Sequence, residues 1–296
     1  MAVYANFDQE SLDREYAPSS CIDDINVYLE QYAAKSESAR NTALVAGHCQ
    51  LNLSYGPSAQ QTLDLFVADA ASEPPLHVFV HGGYWQQLSK EDSSFAAPVF
   101  LDNGAAFAAV NYTLAPHISL TGIVQEVRAA VAWLYGNAAE LGFDREKIYV
   151  SGSSAGAHLA TMLLQTDWAC FDVPADVIRG LCAVSGVYDL VPVSLTAVND
   201  KVGMDLLEAR AMSPLLHEVN NRCPAILAYG ENETAEFKRQ TNDYLALLRG
   251  QNMSVVCKEI PGRNHFDVIL DLADAGSWLS RMVLKQMGIE PAVGQT

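Results

Sequence analysis

Basic residues are scarce in this chain: 18 Lys and Arg stand against 35 Asp and Glu, for a formal net charge of -17. A field of that sign repels phosphate backbones and anionic headgroups, so nucleic acid and membrane surfaces are poor partners. The six cysteines form no C-x-x-C pair and no dense framework, which fits thiols kept reduced in a cytosol rather than a disulfide scaffold. No uninterrupted apolar stretch reaches the length of a membrane span, and no cationic start followed by an apolar run marks a leader. A soluble, cytoplasmic protein is expected. H-E-x-x-H and comparable ligand spacings are absent too, so a metal-dependent enzyme is not expected.

Repeats, low-complexity tracts and Pro/Gly-rich linkers are also lacking, which leaves one domain over residues 1–296 as the expectation. Its first 42 residues read as a helical extension. Within it, Asp23–Arg40 carries Ile25, Tyr28, Leu29 and Tyr32 at helical spacing, so that one face should pack on the body. Ala43–Leu51 and Thr62–Ala68 read as extended, the latter by the alternation of Leu63, Leu65 and Val67. From Leu76 onward, short apolar runs alternate with amphipathic stretches, the pattern of parallel strands joined by helical crossovers.

The runs are Leu76–Val80, Ala105–Asn111, Lys147–Val150, Gly180–Val184, Ala225–Tyr229 and Val255–Ile260. Helices are expected near Phe95–Leu101, Thr121–Tyr135, Ala155–Leu164, Ala235–Arg249 and Phe266–Met287. The sum is an α/β fold with a mostly parallel central sheet of about eight strands, helices on both faces and little or no lid. Residues 185–216, the least regular piece, should form short helices over the sheet.

The strand KIYV runs into Gly152-Ser153-Ser154-Ala155-Gly156, a G-x-S-x-G in the strand-to-helix setting of a nucleophile elbow. The turn would strain Ser154 and expose its hydroxyl, while the flanking glycines admit the neighbouring strand and helix. A serine hydroxyl needs a base and its tetrahedral adduct needs donors. Donors are available where His81-Gly82-Gly83-Tyr84-Trp85 leaves the strand LHVFV: Gly83 and Tyr84, with the amide of Ala155 at the start of the following helix, are the candidates. These features specify the α/β-hydrolase fold, whose triad runs Ser, acid, His along the chain.

The base is therefore His265, in the loop Pro261–Phe266 after the strand SVVCKEI. His81 is expected to brace its own loop and His158 to be structural. The acid should follow the strand AILAY, where Glu231, Glu233 and Glu236 all lie; Glu233 is favoured, with Asp189 and Asp267 as fallbacks. Tyr84 and Trp85 are placed to wall a flat substrate.

With these elements in view, the chain resembles the kynurenine formamidase (arylformamidase) branch of the α/β hydrolases over most of its length. The resemblance rests on HGGYW at His81–Trp85, NYTLAP at Asn111–Pro116, GSSAGAHLA at Gly152–Ala160, SGVYDL at Ser185–Leu190, EARAMSPL at Glu208–Leu215 and EFKRQ at Glu236–Gln240. It implies Ser154 as nucleophile, Glu233 as acid and His265 as base, acting on an aryl formamide without cofactor. Glutamate departs from the aspartate common in that family, so its extra methylene has to be absorbed by the turn. The alternatives are a carboxylesterase for short acyl esters and a non-catalytic small-molecule binder of the same fold. A homodimer is compatible with all three.

Overall fold

A computed structural model describes residues 2–290. Eight strands form one sheet: β1 (Cys49–Ser54), β2 (Thr62–Phe66), β3 (Pro75–Val80), β4 (Ala106–Val110), β5 (Asp144–Ser153), β6 (Ile178–Val184), β7 (Ala225–Asn232) and β8 (Val255–Asn264), in spatial order β1-β2-β4-β3-β5-β6-β7-β8. Strand β2 runs antiparallel to both its neighbours, and every pair from β4 to β8 is parallel. The expected strand count and the antiparallel start are both present.

Nine α-helices accompany them among the described residues: α1 (Gln9–Glu15), α2 (Asn26–Ala46), α3 (Ala97–Asp102), α4 (Leu120–Leu141), α5 (Ala155–Leu164), α6 (Asn199–Val202), α7 (Leu206–Ala211), α8 (Ala235–Gly250) and α9 (Trp278–Gln286). The period-two alternation of a strand sorts side chains between two cores. Leu76, Val78 and Val80 meet α4, α5 and α8 on one face, while Phe79, Phe107 and Ile226 meet α2, α3 and α9 on the other. Strands buried on both faces have to be apolar throughout, and the run Ala106–Val110 is buried at every position. No helix among the described residues is long and apolar enough to cross a membrane.

Two local expectations are corrected. Ala43–Ala46 is not extended but completes α2, because Gly47 supplies the left-handed cap (φ 71°) that stops the helix; β1 starts only at Cys49. Phe266–Met287 is not one helix. A 3-10 segment, Val268–Ala273, gives way at Asp274, whose carboxylate accepts from the Gly276 amide, and Ser277 then caps α9 by accepting from Ser280. Helix α1 falls within the helical extension expected over the first 42 residues, and Asp8 caps it through the Ser11 amide. Residues 185–216 do carry only short helical pieces, including α6 and α7.

One buried ionic cluster ties α2 and the loop after β3 to the sheet. Asp64 on β2, fully buried, accepts from the Asn52 amide at 2.8 Å and pairs with Lys90 (2% exposed) at 3.2 Å and with Arg40 of α2 at 3.3 Å. Lys90 also pairs with Glu91, whose side chain is half exposed. Removing one member of a buried pair strands the other charge in a low-dielectric interior. Asp64→Ala is therefore expected to destabilise the fold by about 3 kcal/mol, read as a fall in the urea unfolding midpoint.

Candidate active site

The carboxyl ends of parallel strands are where open α/β sheets present their ligand sites. Here five adjacent strands, β3, β5, β6, β7 and β8, each deliver a polar group or a turn to the same edge: the His81–Trp85 loop, Ser154, Ser185, Glu233 and His265.

Ser154 lies between β5 and α5 with φ 56° and ψ -123°, a conformation rarely taken by any residue but glycine. Such a position costs about 1–3 kcal/mol and persists only where its surroundings hold it. The hold is visible: the Ser154 amide donates to the Val184 carbonyl at the end of β6, 2.8 Å away. The glycines around it are required by close approach. A Cβ on Gly152 would lie 2.2 Å from the Gly156 carbonyl oxygen, and one on Gly156 would lie 2.0 Å from that of Val80.

A Cβ on Gly82 would likewise lie 2.7 Å from the Ser153 carbonyl oxygen and 3.3 Å from the Ser154 Cβ, so the His81–Trp85 loop packs directly against the elbow. In that loop Gly83, Tyr84 and Trp85 all have positive φ (92°, 50° and 60°), and the Gly83 carbonyl accepts from the amides of Gln86 and Gln87. Successive left-handed residues form a tight turn beside the serine. Ala155, the third candidate donor, is the first residue of α5, where backbone amides have no acceptor within the helix and the dipole is positive. Its amide therefore remains available to an acceptor outside the helix.

His265 and Glu233 are joined directly. The His265 Nδ1–H donates to Glu233 Oε2 at 2.9 Å, with the carboxylate wholly buried and the imidazole 4% exposed. A carboxylate only accepts, so the proton sits on Nδ1 and the neutral ring keeps its lone pair on Nε2. The other carboxylate oxygen, Glu233 Oε1, accepts from the Ser185 hydroxyl and from the Gly230 amide, each at 2.6 Å. The turn absorbs the long glutamate side chain in this way: β7 runs on through Asn232, and the carboxylate folds back to the amide three residues earlier.

The other acidic candidates are engaged elsewhere. Glu231 accepts from the Gly262 amide, Glu236 forms a fork with Arg239, Asp267 caps the Asn264 amide, and Asp189 accepts from the Val191 amide. Ser185 was quoted within SGVYDL but given no role; its place at the end of β6, between the strands bearing Ser154 and Glu233, was the available signal.

Ser154 and His265 line one cavity of about 360 Å³. Apolar side chains dominate its wall, among them Leu29, Tyr32, Phe79, Phe95 and Ile269, while Asp13, Ser19 and Asp92 supply polar groups. Tyr84 lines it as expected. Trp85 does not, and this is a correction: its indole is fully buried in the core beneath α5, and its Nε1–H donates to His158 Nδ1 at 3.2 Å. His158 then donates from Nε2 to the Met212 carbonyl, 2.8 Å away. Burial holds the pKa of His158 down at about 4, so this ring is neutral near pH 7, as its accepting Nδ1 requires.

His81 is held down to about 4 by the same desolvation; its Nδ1–H donates to the Gly82 carbonyl and its ring stacks on Tyr112 at 4.1 Å. The brace expected of it is present. The N-terminal segment, whose helix could from its sequence partly cover a site, contributes Asp13, Tyr16–Ser19, Ile25, Leu29 and Tyr32 to the cavity wall.

Comparison with known proteins agrees with this geometry. The BD-FAE family model matches residues 63–241. Kynurenine formamidase of Salmo salar is 33% identical, the match covering 97% of this chain and 99% of that protein; the Danio rerio enzyme of the same name is 31% identical with the same coverage. Among solved structures, a Silicibacter sp. protein superposes with a TM-score of 0.77 at 31% identity, covering 90% of this chain and 97% of that one. An esterase from Pyrobaculum calidifontis reaches 0.70 at 19% identity, covering 95% and 97%, a likeness of fold alone. The chain is thus a hydrolase of the α/β-hydrolase fold. Within that class it belongs to the kynurenine formamidase family.

The reassignment of Trp85 can be tested. Trp85→Phe deprives His158 of its donor in a dry core, so it should lower stability by about 1–3 kcal/mol without raising KM; a raised KM with unchanged thermal midpoint would return the indole to the cavity.

Proposed function

We propose that this chain hydrolyses N-formyl-L-kynurenine to L-kynurenine and formate, with Ser154 as nucleophile, His265 as general base and acid, and Glu233 as the orienting carboxylate. The observation that carries the reading is the buried Glu233–His265 hydrogen bond. It leaves the imidazole basic nitrogen free in a ring that shares its cavity with a strained serine.

In the reaction, the Ser154 oxygen bonds to the formyl carbon as its proton passes to His265 Nε2. The carbonyl oxygen takes up negative charge against the amides of Gly83, Tyr84 and Ala155. The C–N bond then breaks as His265 returns the proton to the departing aryl amine, leaving a formyl ester on Ser154. Water, deprotonated by the same imidazole, adds to that ester; the bond from the formyl carbon to the Ser154 oxygen then breaks as His265 returns the proton to that oxygen, releasing formate and restoring the serine. Through both halves the Glu233 carboxylate keeps the ring in one tautomer and offsets the imidazolium charge. A formyl group needs little room beside the amides, and the aromatic and aliphatic walls suit the aryl portion. All of this chemistry is carried by side chains and amides, without a cofactor, and a cytoplasmic setting accords with six unpaired thiols.

The substrate is tested by comparing kcat/KM for formate release from N-formyl-L-kynurenine with that for p-nitrophenyl acetate. The formamide is expected to lead, and an ester preference of several orders of magnitude would transfer the assignment to a carboxylesterase. For the machinery, Ser154→Ala and His265→Ala should each remove nearly all turnover, and their double variant should lose no more than either alone, because the two act as a unit. Glu233→Ala should cost far more in kcat than Glu231→Ala or Glu236→Ala; equal losses in the three would unseat Glu233.

A further inference from the structure

One short stretch of chain, residues 15–32, reaches three of the four turns that carry the proposed machinery, all but the Ser154 elbow itself. At the oxyanion loop, the Tyr84 hydroxyl donates to the Tyr16 carbonyl at 2.6 Å. At the turn that bears Glu233, Thr234 donates from its hydroxyl to the Glu15 carbonyl at 2.6 Å, and the buried Tyr16 hydroxyl donates to Glu236 at 2.7 Å. At the loop of His265, Asn264 donates from its side-chain amide to the Tyr28 hydroxyl at 2.8 Å, and the Tyr32 hydroxyl donates to the Phe266 carbonyl. Those two bonds flank the imidazole on its immediate chain neighbours. The rings add to the grip: Tyr28 stacks on Phe266 at 5.8 Å, and Tyr32 stacks on Phe95 at 5.8 Å.

The strands fix where each loop begins, but not the last few tenths of an ångström at its tip. Asn264 illustrates the need. Its side-chain oxygen accepts from the amides of Phe266 and Asp267, so it folds the loop around His265, and its remaining donor is the one given to Tyr28. Tyr28 of α2 thus adds a third bond, from outside the sheet, to the two that orient that amide within the loop. The stretch lies outside residues 63–241 matched by the family model, and residues of it line the cavity as well.

We infer that residues 15–32 are the positioning element of this active site, with Tyr28 and Tyr32 acting as positioning residues that hold the His265 loop in register with Ser154. The inference rests on the serine-hydrolase reading above. These tyrosines act through His265 and do not take part in bond making. A misplacement of a catalytic group by about 1 Å can cost on the order of 100-fold in rate, so the loss of two hydroxyls that fix the loop should be visible in kcat.

The test is Tyr28→Phe/Tyr32→Phe, which removes two hydroxyls and keeps both rings, alongside Tyr28→Phe alone, which alters one half-buried residue and leaves the buried Tyr32 bond in place. The readout is the second-order rate constant for labelling of Ser154 by a fluorophosphonate, with the final labelled fraction as a measure of folded protein. A purely structural role lowers the labelled fraction and leaves the rate constant of the folded molecules alone. We expect the double variant to label about 10- to 100-fold more slowly, with kcat reduced in parallel and KM unchanged, and the single variant to fall between it and wild type.

Equal rate constants in wild type and both variants would overturn the inference while leaving the hydrolase reading intact. Failure of the wild type to be labelled at all would remove the hydrolase reading and this inference together.

Discussion

Glu233 is where the architecture of this molecule becomes specific. Its carboxylate is dry, so every lone pair directed inward has to meet a donor or the charge could not remain there. The donors come from three different strand ends: Ser185 after β6, Gly230 within β7 and His265 after β8. One side chain thereby ties three neighbouring loops at the carboxyl edge of the sheet. Moving any of those strands out of register would strand a buried charge, which makes the position of His265 a consequence of sheet pairing and not of loop geometry alone. The strain at Ser154 is met in the same way, since its amide is bonded to the end of β6, next to the Ser185 that supports Glu233.

This dependence explains which parts of the site were legible in the amino-acid sequence. Gly82, Gly152 and Gly156 could be recognised because no other side chain fits where two backbones meet at 2.0–2.7 Å from a would-be Cβ, so the requirement is written as residue identity. The continuous apolar runs of the central strands announced the sheet for the same reason: burial on two faces leaves no freedom of composition. Glu233 was distinguishable from Glu231 and Glu236 only by its distance from the strand end. The structure separates them by what each binds, information carried by Gly262 and Arg239 and not by the glutamates themselves.

Trp85 marks the limit of that kind of reading. It was placed against substrate because it adjoins Tyr84 in an oxyanion-type loop, yet three consecutive residues with positive φ turn adjacent side chains in unrelated directions. No periodicity applies in such a turn, so side-chain direction cannot be inferred from spacing. The error at Ala43–Ala46 has a simpler origin: four small or aliphatic residues suit a strand or a helix, and Gly47 decides between them by capping α2. The break before α9 rests on a carboxylate and a hydroxyl within Asp274–Ser277, short-range bonds that compete with the helical pattern around them.

The N-terminal segment was legible only as an amphipathic helix, and the reason is physical. Tyr16, Tyr28 and Tyr32 bond to residues 68, 236 and 234 positions further along the chain, and nothing local to a tyrosine encodes a partner at that separation. An apolar stripe states that a face is covered and is silent on what lies beneath it. Here it covers part of a cavity whose floor is the carboxyl edge of the sheet, in a fold shared with an esterase of low identity. If the floor supplies the chemistry, then the features that separate one such hydrolase from another have to be sought in what is laid across it. In this chain that is a wall of tyrosine, leucine and aspartate contributed from outside the sheet and tied by hydroxyls and carbonyls to the loops around Ser154 and His265.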